Sequence, residues 1–450
     1  MRQGGNGRFP MSIKQLRTMV FFLLPLLLSF PRLRGEEPPL TLEQAVNLAL
    51  AGNERSQVAG EAMAVARAQL AKARSYFFPS LTMSGTYTRR PFEVSRTIGE
   101  TDIVIQSRDA LSGNLALNMI IFDADTIPAY AQARLASQAE KYNAIETRRQ
   151  LAFEVASAFL ATLSADQLYE ASRHRFEFAR ATTEAAKARY SAGLVSINDV
   201  TRTELEFATA ERGMIQLQGQ VQSAYLQLGY LIVAPVSGKL QVPELLLQAA
   251  DASLPAAEAI IPEALQRRPD LFSLRLQAKA LRAGAAAPRL AWLPSLNLTG
   301  QYRYTNEAGL TGKNTNWNIG LSLSWTILDG FYRFADFREK RALARQADLN
   351  AAANLRLGEV EVRGALVALA NQQAALKQAV VALDVAKKNA QETSELYRQG
   401  LTGALQVADA NVRLFESEVA MVNARYDLAI AFLNLRAAQG LDPFGKELKP

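Results

Sequence analysis

The 450-residue chain contains no cysteine and a single histidine, His174. Without thiols there is no disulfide framework, no cysteine-ligated zinc or iron–sulfur cluster and no thiol nucleophile. One imidazole leaves no histidine pair for acid–base work, and His174, flanked by Arg173 and Arg175, reads as a solvated surface residue. No nucleophile–base set and no glycine-rich phosphate loop appears. The sequence therefore offers no catalytic, cofactor-binding or metal-ligating residue, and it does not read as an enzyme. Beyond the leader described below, no window reaches the 18 or so continuous apolar residues that a transmembrane helix needs.

Acidic residues are missing from one place in particular. Residues 1–35 carry Arg2, Arg8, Lys14, Arg17, Arg32 and Arg34 and no Asp or Glu, so nearly all of the net charge of +7 belongs to this stretch. The remaining body is close to neutral, which removes the case for a nucleic-acid partner. The same stretch has the organisation of an export signal: a basic segment around Lys14 and Arg17, then an apolar run from Met19 to Phe30, too short to span a bilayer. Met11 is an alternative start, and cleavage near Gly35 is expected.

What is abundant is helix former, and what is distinctive is repetition. Residues 48–81 align without gaps to residues 263–296, ending in Pro79-Ser80-Leu81 and Pro294-Ser295-Leu296. Leu115 to Asp123 matches Leu321 to Asp329, and Tyr190-Ser191-Ala192-Gly193-Leu194 matches Tyr397-Arg398-Gln399-Gly400-Leu401. The expected organisation is a leader over 1–35 and a first repeat over 36–232, comprising helix 42–76, strands 80–88 and 112–122, long helix 124–190, tip 191–198 and helix 199–231. An irregular linker over 233–261 precedes a second repeat over 262–440, comprising helix 262–292, strands 295–304 and 316–328, long helix 330–397, tip 398–404 and helix 405–438. A tail over 441–450 follows. Each long helix, at 1.5 Å per residue, spans roughly 100 Å and belongs to an extended bundle rather than a globule. Two half-length helices laid end to end match one long one.

The four strands alternate with a period of two. Leu81, Met83 and Tyr87 share one face of the first; Leu115, Leu117, Met119 and Ile121 that of the second. Leu296, Leu298, Tyr302 and Tyr304 line the third, and Trp317, Ile319, Leu321, Leu323, Trp325 and Ile327 the fourth, against Ser, Thr, Asn, Gln and Arg on the opposite faces. A soluble half-buried sheet alternates in the same way. Four matching strands of about ten residues with aromatics near their ends, in an exported chain with no other globular core, favour an outer-membrane barrel. Barrels of this kind begin at eight strands and tolerate no lipid-exposed edge, so four strands require several chains to share one cylinder. Every hairpin is entered from and left into a helix. All helices then lie on one side, the periplasm, and loops 89–110 and 306–315 on the other.

Three stretches carry a family resemblance: Leu42-Glu43-Gln44-Ala45-Val46-Asn47-Leu48-Ala49-Leu50-Ala51-Gly52-Asn53, the pair Arg268-Pro269-Asp270-Leu271 and Pro294-Ser295-Leu296, and Gly193-Leu194-Val195-Ser196-Ile197-Asn198-Asp199-Val200. In this order and at doubled spacing, the chain resembles the TolC-like outer-membrane efflux proteins over essentially its whole mature length. The resemblance implies a mainly α protein with a transmembrane β-barrel: a homotrimeric channel-tunnel, twelve strands shared by three chains, above a coiled periplasmic α-barrel. It implies a periplasmic adaptor and an inner-membrane pump as partners, and passive export of small molecules, metals or polypeptides through an outer-membrane exit duct.

Site residues follow from the same resemblance. Gly193, Leu194, Ser196, Gly400 and Leu401 fall on adaptor-contacting tips, although turn chemistry alone explains Gly193, Gly400 and the Ser196–Asp199 spacing equally well. Asp199, Tyr397, Gln406 and Asp409 fall on a periplasmic gate, with Gln406 and Thr402 departing from the acidic and basic residues of other members. Leu81, Met83, Tyr87, Leu115, Leu117, Met119, Leu296, Leu298, Tyr302, Trp317, Leu321, Leu323 and Trp325 are the expected lipid-facing set. The basic pairs Arg89-Arg90 and Arg148-Arg149 read as exposed charge. The competing assignment is a periplasmic scaffold or adaptor of helical hairpins, which would need no amphipathic strands.

Overall fold

The computed structural model describes residues 39–99, 101–236, 238–308 and 312–447; the expected export leader lies outside them. The first repeat opens with α1 (Leu42–Gly52). It starts in a closed capping box, the Thr41 hydroxyl accepting from the Gln44 N–H while the Gln44 side chain accepts from the Thr41 N–H. The single helix expected over 42–76 is broken at Asn53, and α2 (Glu54–Ser75) follows. Asn53 is extended (φ −72°, ψ 135°), accepts from the Arg55 N–H and donates to the Leu231 carbonyl. A short amide that can bond its own neighbouring backbone competes with helix continuation, which periodicity alone does not register.

Strands β1 (Ser80–Arg89) and β4 (Asp109–Phe122) enclose a segment expected to be loop. It folds instead into a hairpin of β2 (Val94–Ile98) and β3 (Thr101–Gln106), built on β-branched residues and turned at Gly99 with φ +70°. Two helices complete the repeat, α3 (Thr126–Ser191) and α4 (Ile197–Ile232).

The linker over 233–261 is more ordered than its prolines suggested. Leu40 and Leu240 form a parallel bridge, and α5 (Glu244–Ala250) and the start of α6 (Ala257–Arg267) lie within it. The helix expected over 262–292 is three pieces, α6, α7 (Pro269–Gly284) and α8 (Ala287–Leu290). Pro269 and Pro288 each occupy a first turn, where the missing N–H costs nothing. Then come β5 (Ser295–Thr305), β6 (Thr315–Ser324), α9 (Tyr332–Arg398) and α10 (Ala404–Ala438). Strand β6 stops short of the expected residue 328, so Trp325 and Ile327 lie past its end. Trp325 donates its indole N–H to the Trp292 carbonyl at 3.0 Å.

The large sheet has the order β1-β4-β5-β6, antiparallel throughout. Its register aligns the apolar sides of all four strands. Leu81, Leu117, Gly300 and Ile319 form one cross-strand row, and Met83, Leu115, Tyr302 and Trp317 the next. The opposite face carries rows such as Ser84, Asn114, Arg303 and Asn316. The register shifts between Ile120 and Phe122, so Ile121 is the extra residue of a bulge. Phe122, opposite Leu296, takes the place in the apolar row that strict alternation gave to Ile121.

Below the sheet the helices repeat the strand order. α2 packs on α3, α3 on α7 and α7 on α9; lower down α4 lies along α3 and α10 along α9. Alanines at the seams, among them Ala139, Ala152, Ala156, Ala410 and Ala429, let the axes approach closely. The largest core sits at mid-length, where Val46, Leu151, Phe159, Leu160, Leu228, Tyr426 and Leu433 meet Leu240, Leu246 and Leu247 of the linker. Arg333 ties the helices to the sheet. Buried at the start of α9, it bonds Asp329 at 2.6 Å and the Ala291 and Thr326 carbonyls, with its guanidinium over the Trp292 ring at 4.1 Å.

Phe159 is fully buried where α3 meets the linker. Phe159→Ala is expected to cost about 3–5 kcal/mol by leaving a cavity, measured as a lowered unfolding midpoint in detergent, whereas the exposed Leu205→Ala should leave the midpoint within error.

Candidate functional site: the apolar sheet face and the paired tips

Two features stand out from the fold, one at each end. At the sheet end the apolar rows are uncovered: Leu81, Met83, Tyr87, Leu115, Tyr302, Trp317, Leu321, Leu323 and Trp325 are all exposed, Met83 to 84%. Leu117, Met119, Leu296 and Leu298 share that face and are half-covered by their neighbours. Tyr87 keeps its hydroxyl satisfied by donating to Asp109 at 2.7 Å. A soluble sheet would bury this face; here no element packs on it, among the described residues. Among the described residues, strands β1 and β6 are also unpaired along their outer edges. One exposed apolar face with two open edges is unstable in water and incomplete in lipid.

At the other end α3–α4 and α9–α10 turn through two tips of the same construction. After α3 the Gly193 N–H donates to the Tyr190 carbonyl and the Leu194 N–H to Arg189; after α9 the Gly400 N–H donates to Tyr397 and Leu401 to Leu396. Gly193 and Gly400 sit at φ +73° and +77°, a conformation that L side chains rarely adopt. Each turn thrusts a leucine into solvent, Leu194 at 74% and Leu401 at 70% exposure. Ser196 and Asp199 close a capping box at the start of α4, and at the second tip Gly403 takes the cap position without a side-chain bond.

The expected gate residues are not equivalent. Asp199 is engaged by Ser196 at the cap; Gln406, its repeat counterpart, is exposed on the first turn of α10. Asp409 is exposed and accepts from the Arg413 Nε at 3.0 Å, a bond that raises the arginine's pKa. Tyr397 is buried against Ala404, Val407 and Phe178, and its hydroxyl has no hydrogen-bond partner among the described residues. Asp199 and Gln406 thus stand near the turns, with Asp409 about one helical turn beyond Gln406.

Sequence reading missed the residue that joins the tips. Arg189, on the last turn of α3, lies over the Tyr397 ring at 4.4 Å and donates to the Tyr397 carbonyl at 3.0 Å and the Arg398 carbonyl at 3.4 Å. A cation at a helix C-terminus serves orphan carbonyls well, here those of the neighbouring helix. Two of the arginines read as exposed charge are also held: Arg90 pairs with Glu307 at the loop end of the sheet, and Arg149 is buried between Glu146 and the Ala437 carbonyl.

A four-stranded amphipathic sheet set on a tube wall of 66- and 67-residue helices defines the class, an outer-membrane channel component. The chain belongs to the outer membrane efflux protein family, whose model matches residues 45–232 and 260–441, one segment per repeat. It is 25% identical over 381 residues to the outer membrane protein TolC of Vibrio cholerae, covering 82% of this chain and 83% of that one. It is 23% identical over 422 residues to nodulation protein T of Rhizobium leguminosarum bv. trifolii, covering 91% and 87%. The fold matches that of the Campylobacter jejuni CmeC outer membrane channel with a TM-score of 0.77 at 18% identity, over 91% of this chain and 87% of that one. The protein is an exit duct of the outer membrane with its helices in the periplasm, and the free-standing periplasmic scaffold is not favoured.

Arg189→Gln should loosen the second tip. Amide hydrogen exchange at residues 397–401 is expected to accelerate roughly tenfold, as for the loss of about one charge-assisted hydrogen bond, with exchange at residues 150–163 unchanged.

Proposed function

We propose that three copies of the chain close one twelve-stranded barrel and one continuous helical tube, forming a passive conduit whose energy comes from an inner-membrane pump through a periplasmic adaptor. The observation that carries this reading is the exposed apolar face bounded by two unpaired edges. Joining β6 of one copy to β1 of the next satisfies both edges at once, and the smallest symmetric closure giving a lumen wide enough for solute is three. The lipid-facing rows run from Leu81 to Trp325 as named above. The chain carries out no chemistry: its polar rows line a water-filled bore.

The two tips of each copy present Leu194 and Leu401 as six apolar knobs per trimer, with Gly193, Ser196 and Gly400 fixing the turns that project them. Helical hairpins of an adaptor offer complementary grooves for such knobs. Asp199, Tyr397, Gln406 and Asp409 narrow the periplasmic mouth, and three copies of Asp409 near one axis favour cations.

Light scattering of the purified protein in detergent tests the assembly: three times the chain mass is expected, and a water-soluble monomer would overturn the reading. For the mouth, Asp409→Ala in planar bilayers should lower cation-over-anion selectivity severalfold and relieve block by divalent ions. Unchanged selectivity would return Asp409 to an ordinary helix-surface partner of Arg413.

A further inference from the structure

Just below the sheet, the wall of helices carries an excess of positive charge, part of which neither the fold nor the proposed conduit uses. Residues 62–79 contain Arg67, Lys72 and Arg74 and no acid; residues 271–293 contain Arg275, Lys279, Arg282 and Arg289 and again no acid. On α9 the cations divide into two kinds. Arg333 bonds Asp329, Lys340 pairs with Asp336, and Asp348 is taken by Arg282 from α7. Arg338, Arg341 and Arg345 are exposed and have no carboxylate or hydrogen-bond partner among the described residues. Their repeat counterparts on α3 are Gln132, which touches Gly284 of α7, Leu135, and Ala139, buried at a seam, so the architecture itself does not require arginine there.

Handedness fixes which way the three point. The apolar face of the sheet looks outward to lipid. On that face Leu111 of β4 directs its carbonyl to Asn306, and so toward β5. Seen from the lipid with the loops uppermost, β4 descends. For an L-residue facing the viewer on a descending strand, the N–H and C=O point left. The strands therefore run β1, β4, β5, β6 from right to left, and the helices beneath them α2, α3, α7, α9, so α7 lies to the right of α9. The side of α9 turned to α7 carries Arg333, Phe337, Ala344 and Asp348. A right-handed helix descending from that side advances about 100° per residue through the outward direction. Arg341, Arg345 and Arg338 fall about 60°, 100° and 120° around from the α7-facing line, on the outer surface, the last two beside the flank that α2 of the next copy would close.

The same outward line begins, nearer the sheet, with exposed Phe331 and Phe334. Aromatics of this kind mark the membrane–water interface. At 1.5 Å per residue, Arg338 lies about 6 Å below Phe334, Arg341 about 10 Å and Arg345 about 16 Å. The headgroup layer is several ångströms thick and an arginine side chain reaches about as far, which places the first two among lipid phosphates and the third within a Debye length of them.

We propose that Arg338, Arg341 and Arg345 form the centre of a basic collar that binds the headgroups of anionic phospholipid in the periplasmic leaflet. The inference rests on the membrane-spanning reading of the sheet. Continuity with the lipid-facing belt argues for this occupant, as does the guanidinium's bidentate match to phosphate. The collar fixes the depth of the duct in the membrane and gathers acidic lipid around it.

The test uses the full chain reconstituted in vesicles, with Trp317→Phe to leave only Trp292 and Trp325, both at the periplasmic end, as reporters. Quenching by brominated phosphatidylglycerol is compared with quenching by brominated phosphatidylcholine. A preference of about fivefold or more for the acidic lipid is expected, falling as salt rises. Arg338→Gln combined with Arg341→Gln and Arg345→Gln should bring the ratio close to one, and the corresponding triple lysine variant should restore most of it. Equal quenching by the two lipids, or a preference untouched in the glutamine variant, overturns the collar. So does a glutamine variant that loses crosslinking to an adaptor while keeping its lipid preference, since the surface then belongs to a protein partner. Absence of quenching by either lipid would instead sink the membrane reading itself.

Discussion

The backbone hydrogen bonds at the two edges of the sheet govern everything else in this molecule. A peptide N–H or C=O left unpaired in hydrocarbon costs several kcal/mol, and β1 and β6 each present a full row of them. One chain cannot satisfy these groups internally, because its four strands are too few to curl shut and their apolar side has no partner among the described residues. The same requirement reaches the helices: a wall ordered α2, α3, α7, α9 stands beneath the strands in matching sequence, so closing the sheet closes the tube.

The helical part solves a different problem, how to keep a wall about 100 Å long standing without a globular core along its length. Small residues at the seams bring helices into contact over long distances, while the one substantial apolar core is concentrated at mid-length. There α1, α3, α4 and α10 converge and the linker wraps over them. Above and below that girdle, stability depends on individual clasps. Arg268 bonds Asp270 at 2.7 Å and also holds Glu361, and Gly440, with φ +76°, lies so close to the Arg268 backbone that any Cβ would collide with it. Arg333 performs the corresponding task at the sheet and Arg189 at the tips.

Much of this architecture was legible in the sequence because it rests on periodicity and duplication. Alternation identified the apolar strand faces, and the matched Tyr-x-x-Gly-Leu segments located both turns. What was not legible depended on single side chains acting against their surroundings. Asn53 interrupts a helix whose hydrophobic pattern runs on unbroken, and Ile121 slips the register within an otherwise regular strand. The hairpin over residues 94–106 is too short and too polar to stand out from a loop. Arg90, Arg149 and Arg189 were indistinguishable from surface charge, since Glu307, Ala437 and Tyr397 lie 217, 288 and 208 residues from them, and the last two are met at backbone carbonyls that no sequence pattern reveals. The outward arginines of α9 needed the topology of the sheet before their direction could be known at all.

The Arg333 clasp has a mechanical corollary. One guanidinium fastens the start of α9 to the turn after β6 and to the end of α8, with an indole stacked beneath it. A joint held at so many points does not hinge. Twisting or spreading of the helices at the far tips must then be absorbed along the slender, small-residue seams below it. Any widening of the distant mouth would then leave the strands in the hydrocarbon where they are.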